Sequence, residues 1–253
     1  MTIDLTDKTV LVTGASRGIG HALAQGLAAA GATVAVHYNK NSTAAEELAL
    51  ALGSGARPFA ADLRHSSEVE SLFARVVEVY GKLDVLVNNA GLARLVPLTA
   101  PIDIWEQAWD ETMAVNLKAT ELLNRLAVKH FVNRGEGGRI INIASRAAFR
   151  GDTPEYLAYA ASKGGVVALT RSIARAYGKS GICAFVIAPG FVRTDMAQES
   201  IDEYGEDFVL DNIALQRLTE PEDLAPIVTL LAGGYADHAT GTTIDINAAS
   251  YVH

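Results

Sequence analysis

Short apolar segments rich in β-branched residues alternate with longer segments of helical periodicity along most of this chain. The apolar segments lie at residues 8–13, 33–36, 58–61, 83–87, 139–145, 182–187 and 242–246. Parallel strands need long crossover connections, so regular strand–helix alternation is typical of a parallel sheet covered by helices. We therefore predict an α/β fold, a doubly wound Rossmann-type parallel sheet of about seven strands with helices on both faces.

The composition is that of one large folded unit. Apolar residues make up 49% of the 253 residues and charged residues 20%, and no Pro/Ser-rich or highly charged linker divides the chain. We predict a single domain over residues 1–253. Between about residues 194 and 219 the helical periodicity weakens and acidic residues gather, which predicts a mobile lid over a ligand crevice.

Composition also argues against several classes of protein. No apolar run approaches the roughly 18 residues that span a bilayer. The N-terminus lacks a basic region followed by an apolar block, so we expect a cytoplasmic protein without membrane contact. The net charge of −8 argues against a nucleic-acid partner, because phosphates attract basic surfaces. The six histidines show no metal-ligand spacing, so we predict no protein-built metal site.

Three glycines, Gly14, Gly18 and Gly20, lie where the first predicted strand turns into the first predicted helix. Glycine lets the backbone approach a pyrophosphate, and a helix start offers free N–H groups and a positive dipole end. Ligands of such sheets bind at the carboxyl ends of the strands. Polar or small residues at other predicted strand ends are Asp62, 88–91, Ser145 and 189–190. Together these positions predict a dinucleotide site.

Tyr159 and Lys163 are four residues apart at the start of a predicted helix, and such residues share a helix face. A tyrosine has a pKa of about 10, and lowering it by about three units costs roughly 4 kcal/mol. An ammonium about 4 Å away, at an effective dielectric of about 20, supplies an energy of that order. Tyr156 has Ala160 in the matching position. Tyr159 is therefore the candidate acid/base.

From about Lys8 to Tyr251 the chain resembles the short-chain dehydrogenase/reductase family. The matching motifs are 13–20 (TGASRGIG), 88–91 (NNAG), Asn116 within 115–117, Ser145 with Tyr159 and Lys163, and 189–194 (PGFVRT). The resemblance implies hydride transfer between a nicotinamide cofactor and a carbonyl or alcohol, and it implies a homotetramer.

The same resemblance implies the role of each catalytic residue. Tyr159 would be the acid/base, and Ser145 would polarise the carbonyl oxygen. Lys163 would hold the nicotinamide ribose and lower the pKa of the tyrosine, while Asn116 would hold a water that links Lys163 to solvent. This agrees with elementary chemistry, because carbonyl reduction develops negative charge on an oxygen that two hydroxyl donors can stabilise.

The family pattern implies a long series of cofactor contacts. These residues are Gly14, Ser16, Arg17, Gly18, Ile19, Gly20, Tyr38, Asn39, Lys40, Asp62, Leu63, Asn89, Gly91, Tyr159, Lys163, Pro189, Gly190, Val192 and Thr194. In NAD-binding folds an acid about 20 residues beyond the glycines excludes a 2′-phosphate. By family position its place is taken by Tyr38, so that charge is absent.

Two cations lie near the predicted adenosine site. Arg17 and Lys40 could reach a 2′-phosphate, and Asn39 or Ser42 could donate hydrogen bonds to it. However, Asn39 stands where NADP-preferring relatives often carry an arginine. We predict NADP as the cofactor, with NAD as the alternative.

The substrate is open at this stage. Residues 240–249 resemble the tail of 3-oxoacyl-[acyl-carrier-protein] reductases, which implies an NADP(H)-preferring ketone or 3-oxoacyl reductase. An acyl carrier protein or a CoA thioester would then be a partner, although the charge of −8 would repel an acidic carrier. One alternative is an NAD-dependent dehydrogenase of a secondary alcohol, sugar or polyol, and another is a non-catalytic sensor of the cofactor.

The predicted substrate pocket is mixed in character. Its expected lining, besides the lid, is Arg94, Leu95, Arg146, Phe149, Arg150, Glu155 and Tyr156. Such a lining suits many small ketones. Arg94, Arg146 or Arg150 could also bind a carboxylate or phosphate of the substrate.

Overall fold

A computed structural model describes residues 2–194 and 205–252 of the chain. Its strands are β1 Thr9–Val12, β2 Thr33–Tyr38, β3 Arg57–Ala60, β4 Val85–Asn88, β5 Gly138–Ile143, β6 Ile182–Pro189 and β7 Thr243–Ile246. Neighbouring strands are parallel, in the order β3-β2-β1-β4-β5-β6-β7. The strand order changes direction between β1 and β4, and ligands of such sheets bind at the carboxyl ends there.

Helices connect the strands. They are α1 Gly18–Ala29, α2 Ser42–Leu52, α3 Ser66–Tyr80, α4 Ile102–Met113, α5 Ala119–Arg134, α6 Ala147–Arg150, α7 Leu157–Tyr177, α8 Glu206–Leu210 and α9 Ala225–Ala232. A π-helical turn, Ala114–Lys118, joins α4 to α5. The π turn is an irregularity that apolar periodicity does not indicate.

Alternate residues of the strands pack on opposite faces of the sheet. In β1, Val10 and Val12 belong to the apolar core that contains residues of α1 and α9, whereas Leu11 belongs to the core that contains residues of α3 and α5. Strands covered on both faces are continuously apolar, as the sequence shows. The predicted doubly wound sheet with helices on both faces is therefore confirmed.

The predicted lid at about 194–219 lies partly outside the described residues, which omit 195–204. Within its described part, Val209 and Leu218 are each 1% exposed. Arg193, just before the lid, pairs with Glu206 and with Glu220, the latter at 3.0 Å. Movement of this segment stays a prediction.

No helix in the described ranges is long and apolar enough to cross a membrane. Within the same ranges, His, Cys, Asp and Glu side chains do not gather in groups of three that could hold a metal ion.

Candidate active site

The turn between β1 and α1 depends on glycine for steric reasons. Gly14 has φ +63° and Gly18 φ +54°, values that glycine adopts without strain. A Cβ on Gly14 would lie 3.0 Å from the Cα of Ala90, and one on Gly20 would overlap the carbonyl oxygen of Gly14. Ser16 and Ile19 are half-buried in the same segment. The turn therefore lies directly against the end of β4.

Asn89 holds this turn in place. Its Nδ2 donates to the carbonyl oxygens of Thr13 at 2.9 Å and Gly14 at 3.1 Å. The Thr13 hydroxyl accepts in return from the backbone N–H groups of Asn89 at 2.9 Å and Ala90 at 3.0 Å. Asn89 is predicted to contact the cofactor. Its side chain positions the backbone of Thr13 and Gly14, in the turn that would bind the cofactor.

His37, which the sequence analysis did not assign to the site, binds the same turn from β2. The backbone N–H of Gly14 donates to Nδ1 of His37 at 3.0 Å, so Nε2 carries the proton and donates to the carbonyl of Ala61 at 3.1 Å. The backbone carbonyl of His37 accepts from Ala15 at 2.8 Å. Burial lowers the pKa of His37 to about 4, so the ring is neutral. The only sequence signal was a histidine in an otherwise apolar strand.

The predicted adenosine site follows β2. Tyr38 packs partly against the core, while Asn39 and Lys40 are exposed. Arg17 is exposed at the start of α1. Because β1 and β2 are paired in parallel, with Val12 opposite Val36, Arg17 and Lys40 lie at the same edge of the sheet.

Asp62 and Leu63 follow β3. Both carboxylate oxygens of Asp62 accept from Nε of Arg64 at 3.0 Å. Hydrogen bonding to this guanidinium lowers the pKa of Asp62 to about 2. The Leu63 side chain is buried in the core. The Asp62 side chain is therefore ionised at neutral pH and already hydrogen-bonded to Arg64. Leu63 could contact a ligand only through its backbone.

Ser145, Tyr159 and Lys163 converge beyond the end of β5. Ser145 is 8% exposed and Lys163 5% exposed. The Ser145 hydroxyl hydrogen-bonds to the Tyr159 phenol. Nζ of Lys163 donates to the carbonyl of Ile143 at 2.9 Å and lies 5.7 Å from the centre of the Tyr159 ring. The backbone of β5 thus orients the lysine, and α7 carries both it and the tyrosine.

The pKa of Tyr159 differs from the expectation. Burial raises it above the ordinary value, and the hydrogen bond from Ser145 lowers it by less. Burial also lowers the pKa of Lys163 to about 8, because a low-dielectric surrounding disfavours the charged form. The prediction that Lys163 lowers the pKa of Tyr159 is therefore wrong. The Lys163 ammonium is bound to the carbonyl of Ile143, and burial of the phenol has the largest effect on its pKa.

Asn116 lies inside the π turn and is 1% exposed. Its Oδ1 accepts from the N–H of Leu92 at 2.9 Å, and its Nδ2 donates to the Leu92 carbonyl at 2.8 Å and to Oγ of Ser162 at 3.0 Å. Thr120 donates to the Asn116 carbonyl at 2.9 Å. Both amide hydrogens are therefore used within the protein, so the predicted water would have to bind an oxygen of Asn116, either Oδ1 or the backbone carbonyl.

The space beside Lys163 suits an extended cofactor. A Cβ on Gly91 would lie 3.4 Å from both Nζ of Lys163 and Oδ1 of Asn116, and one on Gly18 would lie 3.3 Å from Cγ2 of Thr194. These glycines leave open the path between the β1–α1 turn and Lys163. The residues present therefore fit a dinucleotide.

The segment after β6 closes the far side of this path. The carbonyl of Pro189 accepts from the N–H of Arg146 at 3.0 Å, and the N–H of Gly190 donates to Ile246 at 3.1 Å. Val192 forms a parallel bridge with Thr219. The four residues predicted at this edge, namely Pro189, Gly190, Val192 and Thr194, are thus brought to the site.

The predicted pocket residues fall into different environments. Arg94 pairs with Glu111 at 3.0 Å, and Leu95 is 55% exposed. Phe149 stacks on Tyr251 with ring centres 6.5 Å apart. Glu155 accepts through its backbone from Val96 at 3.0 Å. Tyr156 is half-buried and Arg150 exposed, whereas Arg146 is buried.

Comparison with known proteins identifies the family. The sequence profile of the family described as short chain dehydrogenase matches residues 8–205, which is most of the chain. This chain is a short-chain dehydrogenase/reductase. The family resemblance seen in the sequence is confirmed, and the enzyme is an NAD(P)-dependent oxidoreductase acting on CH–OH or C=O groups.

Relatives of the enzyme span different substrates. It is 36% identical over 96% of its chain to 2-dehydro-3-deoxy-D-gluconate 5-dehydrogenase of Escherichia coli (strain K12), covering 95% of that protein. It is 38% identical over 97% of its chain to a 3-oxoacyl-[acyl-carrier-protein] reductase of Staphylococcus aureus (strain Mu50), covering 98% of it. A solved dehydrogenase/reductase of Sinorhizobium meliloti 1021 superposes with a TM-score of 0.88 at 34% identity, covering 99% of this chain and 98% of that one.

Proposed function

We propose that the enzyme is an NADP(H)-preferring reductase of ketones or 3-oxoacyl groups. The protonation state of Tyr159 supports carbonyl reduction, rather than alcohol oxidation, as the direction of the reaction. Burial raises the pKa of its phenol above the ordinary value, which is about 10. Tyr159 therefore holds its proton at neutral pH, and a protonated acid is what reduction of a carbonyl requires.

The residues of the site divide the work of reduction. A bound nicotinamide cofactor supplies the hydride. As negative charge develops on the carbonyl oxygen, the hydroxyl groups of Ser145 and Tyr159 stabilise it by hydrogen bonding, and Tyr159 gives it a proton. Burial lowers the pKa of Lys163 to about 8, so its ammonium is still charged at neutral pH and can hold the nicotinamide ribose of a bound cofactor.

Two features support NADP as the preferred cofactor. No acidic residue follows β2 between positions 38 and 42, so nothing there repels a 2′-phosphate. Arg17 and Lys40 are exposed at the adjoining edge. We expect Arg17→Ala to weaken NADPH binding by about 1.5–3 kcal/mol, roughly 10- to 150-fold, with little effect on NADH, because it removes a charged hydrogen-bond donor.

Titration of both cofactors measures this effect. Arg57→Ala is the control, since it removes an exposed cation from the opposite end of β3. Equal weakening of NADPH and NADH by Arg17→Ala, or tighter binding of NADH by the unmodified enzyme, would show that the preference is not for NADP.

A second candidate is an NAD-dependent dehydrogenase of a secondary alcohol, sugar or polyol. It is favoured by the 36% identity to 2-dehydro-3-deoxy-D-gluconate 5-dehydrogenase. Steady-state rates with both cofactors on a panel of ketones and alcohols separate the two candidates. The reductase proposal predicts faster ketone reduction with NADPH at neutral pH. Faster alcohol oxidation with NAD at the same pH would establish the second candidate.

A further inference from the structure

Arg146 is a buried cation for which the described residues provide no counter-ion. It follows the catalytic Ser145, and its side chain is 7% exposed. The guanidinium carbon lies 4.6 Å from the centre of the Phe191 ring. Nη1 of Arg146 is fully buried and has no hydrogen-bond partner within residues 2–194 and 205–252. Buried charges in proteins are ordinarily paired, so this guanidinium has a binding capacity that the fold leaves unused.

The backbone of Arg146 ties two parts of the site together. Its N–H donates to the carbonyl of Pro189 at 3.0 Å, and its side chain covers Phe191, in the segment that follows β6. The guanidinium therefore lies between the turn that carries Ser145 and one wall of the cofactor path. A cation over an aromatic face is stabilised, but that contact provides no acceptor for an N–H group.

The surrounding charges do not neutralise Arg146. Among the described residues, no carboxylate lies within ion-pair distance of it. Burial lowers its pKa to about 10, Arg150 acts in the same direction and Asp152 opposes it. Arg150 and Asp152 are both exposed. Arg146 therefore stays protonated at neutral pH.

Of the three arginines predicted near the substrate, Arg146 alone combines burial with a missing acceptor. Arg94 already pairs with Glu111 at 3.0 Å. Arg150 is exposed, and an exposed arginine is satisfied by water. Lys163 is also a buried cation of the site, but its ammonium donates to the carbonyl of Ile143.

We propose that Arg146 binds a carboxylate of the substrate, so that the enzyme acts on a keto acid and its hydroxy acid. The inference rests on the proposed oxidoreductase site and narrows its substrate. A single guanidinium matches the single charge of a carboxylate, and the two can form paired hydrogen bonds. A phosphate would bring more charge than one arginine neutralises. A 3-oxoacyl thioester offers no carboxylate.

The kinetic test compares each keto acid with its methyl ester, which keeps the shape and removes the charge. Suitable pairs start from 2-oxobutanoate, 3-oxobutanoate and 4-oxopentanoate, which place the carboxylate at increasing distance from the carbonyl. For the preferred pair we expect kcat/KM to favour the acid by about 10- to 150-fold in the unmodified enzyme, mainly through KM. In Arg146→Met this ratio should fall to about one.

Two matched variants test whether the preference for the acid over the ester depends on Arg146 in particular. Arg94→Met and Arg150→Met remove the neighbouring arginines, and both should keep the preference for the acid. An equal rate for acid and ester in the unmodified enzyme would overturn the carboxylate assignment while the reductase function stands. Turnover of neither compound with either cofactor would instead count against the proposed function. Preference for dihydroxyacetone phosphate over dihydroxyacetone, lost in Arg146→Met, would replace the carboxylate by a phosphate.

A binding measurement tests Arg146 without turnover. The preferred keto acid alone should raise the Tm of the unmodified enzyme, because a ligand of the native state stabilises it. It should leave the Tm of Arg146→Met unchanged. The variant itself should have a higher Tm than the unmodified enzyme, since replacing an unpaired buried charge with an apolar side chain removes a desolvation penalty. A Tm shift of equal size in both proteins would overturn the proposal.

Discussion

At the scale of single residues, burial decides the ionisation of the site. Tyr159 keeps its proton more firmly than an ordinary tyrosine, and Lys163 and His37 lose theirs more readily. In each case desolvation is the largest cause. Perturbed groups of this kind concentrate at functional sites, and here they surround the path between the glycine turn and Ser145.

Tyr159→Phe tests the assigned acid/base. The change deletes the transferable proton and keeps the ring, so we expect turnover to fall by about 10²- to 10⁴-fold with cofactor affinity nearly unchanged. Tyr156→Phe is the control because it removes a neighbouring phenol that has no lysine four residues later. Single-turnover rates and cofactor titrations provide the measurements. A Tyr159→Phe enzyme that keeps more than about half its rate would contradict the assignment.

His37 predicts a specific loss of stability in acid. In the unfolded state His37 binds a proton below about pH 6.5, the ordinary pKa of histidine. In the folded state it binds a proton only below about pH 4. The unfolded state therefore binds more protons in this window, and the free energy of unfolding rises with pH across it. Lowering the pH from about 6.5 to about 4 should therefore reduce the free energy of unfolding by about 3 kcal/mol.

Urea unfolding at several pH values measures that slope. His37→Asn, which does not titrate, should show a flatter pH dependence than the unmodified enzyme. His238→Asn, which changes an exposed histidine, should keep the original slope. The same slope for both variants would mean that another group controls stability in this range.

At the scale of elements, the π turn between α4 and α5 places Asn116. π turns within long helices occur frequently at functional sites. The turn points the Asn116 amide at both backbone groups of Leu92, while Ser162 of α7 accepts from Nδ2 and donates to the Tyr159 carbonyl at 2.7 Å. One side chain therefore links the loop after β4 to the helix that carries Tyr159.

Asn116→Ala should destabilise the enzyme more than Ser162→Ala. The first change leaves the N–H and C=O of Leu92 without their partner, which costs about 2–4 kcal/mol. The second removes two neutral hydrogen bonds, worth about 1 kcal/mol each, but leaves both backbone groups of Leu92 with their partner. The free energy of unfolding in denaturant measures both values. Equal costs would indicate that a regular helix replaces the π turn in the alanine variant.

At the scale of the whole molecule, the parallel sheet gathers distant residues at one edge. Beneath that edge, buried amides connect its central strands to the helices. Nδ2 of Asn88 donates to Asn124 at 2.7 Å and to Asn142 at 2.8 Å, and Asn142 donates to Thr170 at 2.8 Å. This network joins β4 and β5 to α5 and α7, and so holds together the strand that precedes Ser145 and the helix that carries Tyr159 and Lys163.

The assembly is a proposal that rests on the family. We expect a homotetramer in solution, with a mass four times that of the 26.7 kDa chain. Light scattering coupled to size-exclusion chromatography, run over a range of protein concentrations, measures it. A monomer mass at every concentration would contradict the expectation.

Features that depend on local residue patterns could be predicted without the structure. Apolar periodicity indicated the strands and most helices, and the motif spacing placed Gly14, Ser145, Tyr159 and Lys163 at strand or helix ends. These signals are local because side-chain direction repeats every two residues in a strand and about every 3.6 in a helix. The seven-strand parallel sheet followed from that alternation.

The electrostatics of the site and the contacts that support it depend on tertiary packing. His37 hydrogen-bonds to Gly14 and Ala61, which lie far from it in the sequence. Packing likewise determines whether a cation such as Arg146 lies beside a carboxylate. The raised pKa of Tyr159 has the same origin, because desolvation depends on every element packed around the phenol. Burial sums contributions from many distant segments, and no local spacing of residues encodes that sum.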